Sequence, residues 1–345
     1  MIKVGIPRAL LYYEFYPLWR AFFEGVGGEV ITSPITQRDT VATGAARVVA
    51  DTCLPVKVFC GHVLSLVNQC DYVFVPSIKS IEDNVYNCSK FLGLPDVVKA
   101  VIPNCPPLLD VDIDINKGQR EFFSAIYAVA RPFTWNPFKV NKAAQEAWQT
   151  HLAYKDLMRR EALTPSQAIA RIFGEEEKPE GPRAKAPFAR GDAEREPLQP
   201  QCDMAIAVIG HPYTIYDEYI NHRLLHRLQG MGVRVLTTEM AAAEDLNAGV
   251  ARLVGRPYWT FEDEVVGAGG HYLHQTVDGV ISVVAFGCGP DSVMIDLLQR
   301  YAKRQHTIPY MSLTIDEHTA ETGLVTRLEA FRDMLVRRKR RRACA

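Results

Sequence analysis

Three cysteines stand where the chain turns from an extended run towards a helix. In the stretch Ile281 to Ser292, β-branched and apolar residues end at Gly287, Cys288 follows, and Gly289-Pro290-Asp291 opens an apolar-periodic segment that reads as a helix. Proline suits the first helical position, where its missing N–H costs nothing, and the flanking glycines allow a tight turn. A thiol there feels the positive end of the helix dipole, which favours the thiolate, the form that ligates metals or attacks electrophiles. Asp51-Thr52-Cys53-Leu54-Pro55 repeats the arrangement, and Asn87-Cys88-Ser89 follows a polar loop and leads into Phe91-Leu92-Gly93-Leu94-Pro95. Three thiolates converging across a cleft suit an iron–sulfur cluster that leaves one iron without a protein thiolate. The competing reading is a buried thiol at a tight turn in each case, and spacing alone does not decide between them.

The remaining cysteines carry less. Cys60 falls two turns after Cys53 and reads as packing, Cys70 precedes a strand, and Cys105 in a proline-rich extended segment is a spare ligand candidate. Cys202 borders a polar linker and Cys344 a basic tail. Polar residues at strand ends are candidates to act on a substrate: His211, Tyr216 and Asp217 after one strand, and Asp316, Glu317 and His318 after another. Helix capping by Asp217 and Asp316 is the alternative for these loops. Lys57 is a candidate to neutralise charge at the thiols.

The elements that must position these residues follow a β-α-β rhythm. Ile2 to Ile6 is a strand, the next segment is a helix with Tyr12, Phe15, Trp19, Phe22 and Phe23 on one face, and Glu29 to Thr32 is a strand. Helices near 41–50 and 55–67, a strand over 71–76, a helix over 91–100, a strand near Val101 and a helix over 118–130 complete a first half, residues 1–138, expected to be Rossmann-like. Residues 139–173 read as two helices split at Thr164-Pro165-Ser166-Gln167, a capping box. Residues 174–200, rich in charge, proline and glycine, read as a flexible, disordered linker. The rhythm restarts over 201–336, with strands at 204–210, 233–237, 279–286 and 308–315, a helix over 215–229, and a last helix over 321–336; 337–345 is a basic tail. The expected class is α/β, two Rossmann-like parallel-sheet domains joined by a helical segment and that linker. Ligands in such folds sit outside the carboxyl ends of the strands.

At 345 residues, two domains are expected. Lys and Arg total 39 against 40 Asp and Glu, which leaves no global field for a polyanion, so no nucleic acid is expected. The opening residues show no basic region followed by a long apolar core, and no apolar run is long enough for a bilayer; we expect a cytoplasmic protein without a membrane partner. Eight cysteines without a CxxC pair then argue against a disulfide framework or a zinc ribbon. Neither a P-loop nor a dinucleotide-binding glycine motif is present.

The blocks Val4-Gly5-Ile6-Pro7-Arg8 to Glu14, Cys53-Leu-Pro-Val-Lys57 with Gly61-His62-Val63, and Cys88 to Asp96 resemble the acyl-CoA dehydratase activase-related family. Ile209-Gly-His-Pro-Tyr213 with Tyr216-Asp217, Phe286-Gly-Cys-Gly-Pro-Asp291, and Asp316-Glu-His-Thr319 with Thr326 to Phe331 agree in the same order. That family is similar to the iron–sulfur subunits of 2-hydroxyacyl-CoA dehydratases and benzoyl-CoA reductases. The resemblance implies that Cys53, Cys88 and Cys288 hold a [4Fe-4S] or double-cubane cluster. It further implies electrons from a separate ATP-dependent activase, a small-molecule substrate of the CoA-thioester kind, and a homodimer or heterodimer. One departure is Ser89, where relatives tend to have proline. Two other readings differ in class: a non-catalytic electron or cluster carrier, and a metal-free two-domain small-molecule binding protein.

Overall fold

The computed structural model describes residues 1–175, 204–275 and 277–343. Most of the expected linker, Cys202 and Cys344 lie outside them. The first half contains β1 (Lys3–Ile6), α1 (Tyr12–Val26), β2 (Glu29–Thr32), α2 (Arg38–Ala45), α3 (Leu54–Leu66), β3 (Tyr72–Phe74), β4 (Ser77–Ser80), α4 (Ser89–Leu92), α5 (Leu94–Val101), β5 (Leu108–Leu109), β6 (Asp112–Asp114) and α6 (Gln119–Ala130). Two helices follow, α7 (Pro137–Glu161) and α8 (Pro165–Phe173). The second half contains β7 (Met204–Ile209), α9 (Pro212–Ile215), α10 (Leu224–Gly230), β8 (Val233–Leu236), α11 (Ala243–Leu253), a π-turn at Asp263–Gly267, α12 (Ala268–Tyr272), β9 (Gly279–Ala285), α13 (Gly289–Gln305), β10 (Tyr310–Ile315) and α14 (Glu321–Ala343).

The two main sheets are parallel and share one strand order. The first runs β2-β1-β3-β5 and the second β8-β7-β9-β10, so in each the first strand of the half lies between the second and third. Strands β7 and β9 are buried along their whole length, as expected of parallel strands covered on both faces. The order reverses between β1 and β3 and between β7 and β9, which opens a crevice at their carboxyl ends. A continuous apolar core reaches from Val4 and Phe23 through Cys53 to Ile281 and Leu335, so both halves are packed into it.

Helix α7 lies along α1, where a Cβ on Gly25 would stand 2.8 Å from Ala143 Cβ. The Thr164–Gln167 capping box forms in both directions and starts α8. The helix read near 41–50 is α2, ending at Ala45, the one read over 91–100 is split into α4 and α5, and three further boundaries differ from the sequence reading. The residues near Val101 end α5, and the next strand waits until Leu108, because the intervening prolines have no N–H to donate to a ladder. The helix expected over 215–229 is broken into α9 and α10. Asp217 Oδ1 accepts from the N–H groups of Tyr219 and Ile220, Asn221 donates to the carbonyls of Thr214 and Ile215, and His222 and Arg223 take positive φ. Such short polar side chains compete with the helical ladder for backbone groups. The last helix continues through the basic run to Ala343, with Arg338 and Arg342 donating to the Thr307 carbonyl just past the end of α13.

Candidate functional site

Cys53, Cys88 and Cys288 each occupy the residue before a helix, with extended backbone, and precede α3, the single turn α4 and α13. The backbone N–H groups of Val56 and Asp291, in the first turns of α3 and α13, bear on the Cys53 and Cys288 thiols and favour their thiolates. Cys53 is buried, and Cys88 and Cys288 are half-buried. The loop before Cys88 is tied to β4 by the Asn87 side chain, which donates to the Ile78 carbonyl at 3.0 Å. The three thiols lie near enough to act on one another's charge. Burial pushes the Cys288 thiol up, the Asp291 carboxylate pushes it further, and Cys53 and Cys88 add to it across the junction of the halves. Cys53 is raised by burial first and then by Cys88.

Four contacts hold the halves together around this point. Gly287 takes φ +79°, and a Cβ there would stand 3.2 Å from Cys53 Cα, so the turn before Cys288 presses directly on the turn before α3. Lys57, one helical turn beyond Cys53 and buried, donates to the Ala50 carbonyl at 2.8 Å and to Glu317 Oε1 at 2.5 Å. Burial alone would raise the Glu317 carboxyl; the Lys57 ammonium outweighs it and holds the group below its usual range. The Tyr86 carbonyl, just before Cys88, accepts from the Thr260 N–H. Finally, a closed relay runs across the junction. The Arg8 N–H donates to Ser33, Ser33 and Thr36 flank the two His62 nitrogens at 2.9 Å each, and Thr36 donates to Asp217 at 2.5 Å. Burial and Arg8 lower His62 to about 3, so it stays neutral and can donate with one nitrogen and accept with the other.

Behind Cys288 lies a buried charged group. His211, the residue before α9, places Nδ1 2.6 Å from Glu264 Oε2 and Nε2 2.8 Å from Asp291 Oδ1. Burial by itself would lower the His211 pKa; the two carboxylates reverse that and raise it well above 6.5, so the ring is an imidazolium. The Tyr213 ring stacks on it at 5.0 Å. Burial, then Asp291, then Cys288, Cys53 and Cys88 hold the Tyr213 phenol protonated, so this side chain lies within electrostatic reach of the thiols.

The other sequence candidates are separate from the thiols. Tyr216 points to Thr237 and Glu239, at 2.8 and 2.5 Å. Asp217 bonds the turn that follows it and Thr36, a loop-holding role and not a helix cap. His318 is exposed, and its ring lies 3.9 Å from Glu317. Lys57 pairs with Glu317, while the imidazolium close to the thiols is His211. Glu264 was missed by sequence reasoning, because an isolated acid in an irregular stretch gives no signal; Asp291 had one, its place three residues after Cys288. Among the described residues, no three His, Cys, Asp or Glu side chains gather as a site for a single metal ion, and no helix is long and apolar enough to cross a membrane.

Residues 3–241, more than half of the chain, match the family model described as CoA enzyme activase uncharacterised domain (DUF2229). The match includes Cys53, Cys88 and His211 and stops before Cys288. A stretch of 60 residues is 38% identical to a protein of Escherichia coli (strain K12) named "Putative dehydratase subunit YjiM". It covers 17% of this chain and 16% of the E. coli protein.

Proposed function

The chain belongs to the CoA enzyme activase uncharacterised domain family, and on that premise we propose an iron–sulfur protein of the 2-hydroxyacyl-CoA dehydratase and benzoyl-CoA reductase type. Cys53, Cys88 and Cys288 would hold the cluster, [4Fe-4S] or double-cubane, between the two halves. What supports this reading is that Cys53, Cys88 and Cys288, each just before a helix on a separate turn, lie near enough to act on one another's charge. The donor set fits: thiolates are the ligands such clusters take, and burial that disfavours a bare thiolate is offset once a cation binds it. A cluster presents a different iron to each thiolate, so its ligands spread wider than those of one ion.

When bound, the cluster would supply low-potential one-electron chemistry and an iron position free of protein thiolate. The chain's own residues prepare that place. Gly287 lets the Cys288 turn reach the Cys53 turn, and the His211 imidazolium holds Asp291 at the start of α13 and offsets negative charge beside the thiols. Exposed Phe286, with Gly287 and Gly289, leaves the site open to solvent on one side, where a small molecule such as a CoA thioester would enter. Electrons would come from a separate ATP-dependent activase, in keeping with the family's name, and the protein would work as a homodimer or with a related subunit.

The test is reoxidation. Anaerobically reconstituted protein, reduced with titanium(III) citrate, is mixed with 2-hydroxyacyl-CoA and aromatic acyl-CoA thioesters while the visible spectrum is followed. Return of the oxidised spectrum with one thioester class, and not with free CoA, is the expected result. A reduced cluster that no thioester reoxidises, but that a second iron–sulfur protein does, would make this chain an electron carrier.

A further inference from the structure

Beyond the thiols, His211 and Glu264 begin a line of buried polar groups that crosses from the second half to the surface of the first. Glu264 sits in the π-turn, a helical irregularity that recurs at functional sites, and is 8% exposed. On one side it meets His211, which meets Asp291, itself 1% exposed. Among the described residues neither Asp291 oxygen has a well-aligned hydrogen bond; the His211 contact is an ion pair off the N–H axis. On the other side Glu264 faces Glu14 of α1, Asp263 of its own turn and Lys155 of α7. Lys155 is ion-paired with Glu14, also faces Glu239, and is 39% exposed, so the line ends in solvent. His151 Nδ1, one turn before Lys155 on α7, and Glu239 Oε1 are both buried without a partner among the described residues. Orphaned buried polar atoms of this kind are the usual seats of ordered water, which carries protons between side chains.

We propose that Glu264 is a proton-loading residue that takes up one proton for each electron reaching the three-thiol site, drawn from solvent past Lys155 and Glu14. This rests on the cluster reading. A low-potential one-electron donor adds one negative charge at the thiols; one proton from water converts the Glu264 carboxylate to the carboxylic acid, and the net charge of the buried region is unchanged. When the electron leaves for the substrate the proton is released. The placement suits the task. Burial pushes the Glu264 carboxyl up, His211 pulls it back, and Glu14 and Asp263 push it up again, to about 8, so above that pH it is a carboxylate that an added negative charge tips towards uptake. Glu239 and Asp291 add to the surplus of acids, against His211 and Lys155 as the cations.

The midpoint potential of reconstituted protein, measured by spectroelectrochemistry from neutral to alkaline pH, tests this without reference to turnover. The wild-type potential is expected to fall with rising pH above about 8, approaching about 59 mV for each tenfold drop in proton concentration, the one-electron value. In Glu264→Gln the slope is expected to vanish. Glu14→Gln keeps the Glu264–His211 contact and removes one repelling charge, so it should move the onset of the slope to lower pH; this variant carries the test if Glu264→Gln does not fold. A flat wild-type potential, a slope retained in Glu264→Gln, or an onset unmoved in Glu14→Gln would overturn the proposal and leave the cluster reading standing. Protein that binds no iron would remove the cluster reading and this proposal with it.

Discussion

A side chain at Gly287 would meet two penalties. The positive φ disfavours any residue with a Cβ by about 1–2 kcal/mol, and that Cβ would push against the Cys53 backbone. Gly287→Ala should therefore lower unfolding free energy by at least that amount in urea denaturation, and weaken whatever the thiols bind. Lys57 and Glu317 give a second residue-level prediction. Lys57→Met strands a partly buried carboxylate, and loss of one partner from a buried pair costs about 3–5 kcal/mol, an upper range here because Glu317 is 18% exposed. The pair also sets a pH limb. Glu317 has a folded pKa below its unfolded value, so its contribution is present above the unfolded value and is lost as pH falls through the folded one. Glu317→Gln should flatten that acid limb in pH-dependent denaturation. The place of the three cysteines before helices was legible in sequence because helix starts are written locally, in proline and glycine. The His211–Glu264 contact spans 53 residues and an irregular turn, and nothing local announces it.

At the scale of elements, the break between α9 and α10 is made by side chains. Asn221 donates to two carbonyls and accepts from the Leu224 N–H, so Asn221→Ala leaves buried backbone groups unpaired and should destabilise by about 1–3 kcal/mol, read from the shift of the urea midpoint. Apolar periodicity made residues 215–229 look like one helix because it reports faces and is blind to a side chain that takes over the backbone's hydrogen bonds. Where the competing signal was itself local, as at Thr164–Gln167, the reading and the structure agree. Helix α7 shows the limit of pattern in another way. Its helical character was readable; its partner α1, reached through the close Gly25–Ala143 contact, was not. Ala143→Leu should cost about 1–3 kcal/mol by overpacking that seam.

For the whole molecule, two sheets of the same strand order meet at their carboxyl ends, and buried polar relays join them in place of a purely apolar seam. One relay makes acid stability a property of the junction. His62 is lowered from 6.5 to about 3, so in that interval the unfolded chain binds more protons and stability falls as pH drops, on the order of 1.4 kcal/mol per pH unit from this group. His62→Gln should flatten that limb while lowering stability at neutral pH. The α/β class and the doubled rhythm followed from strand and helix periods alone, whereas the nearness of Cys53 and Cys88 to Cys288 needed the two halves in contact. The most direct measurement is iron and acid-labile sulfide content, with the visible spectrum, of anaerobically purified wild-type protein and Cys288→Ala. Brown wild-type protein containing both elements, with thiolate-to-iron absorption that the variant loses, is the expected result. Colourless wild-type protein that takes up no iron after anaerobic reconstitution would contradict it.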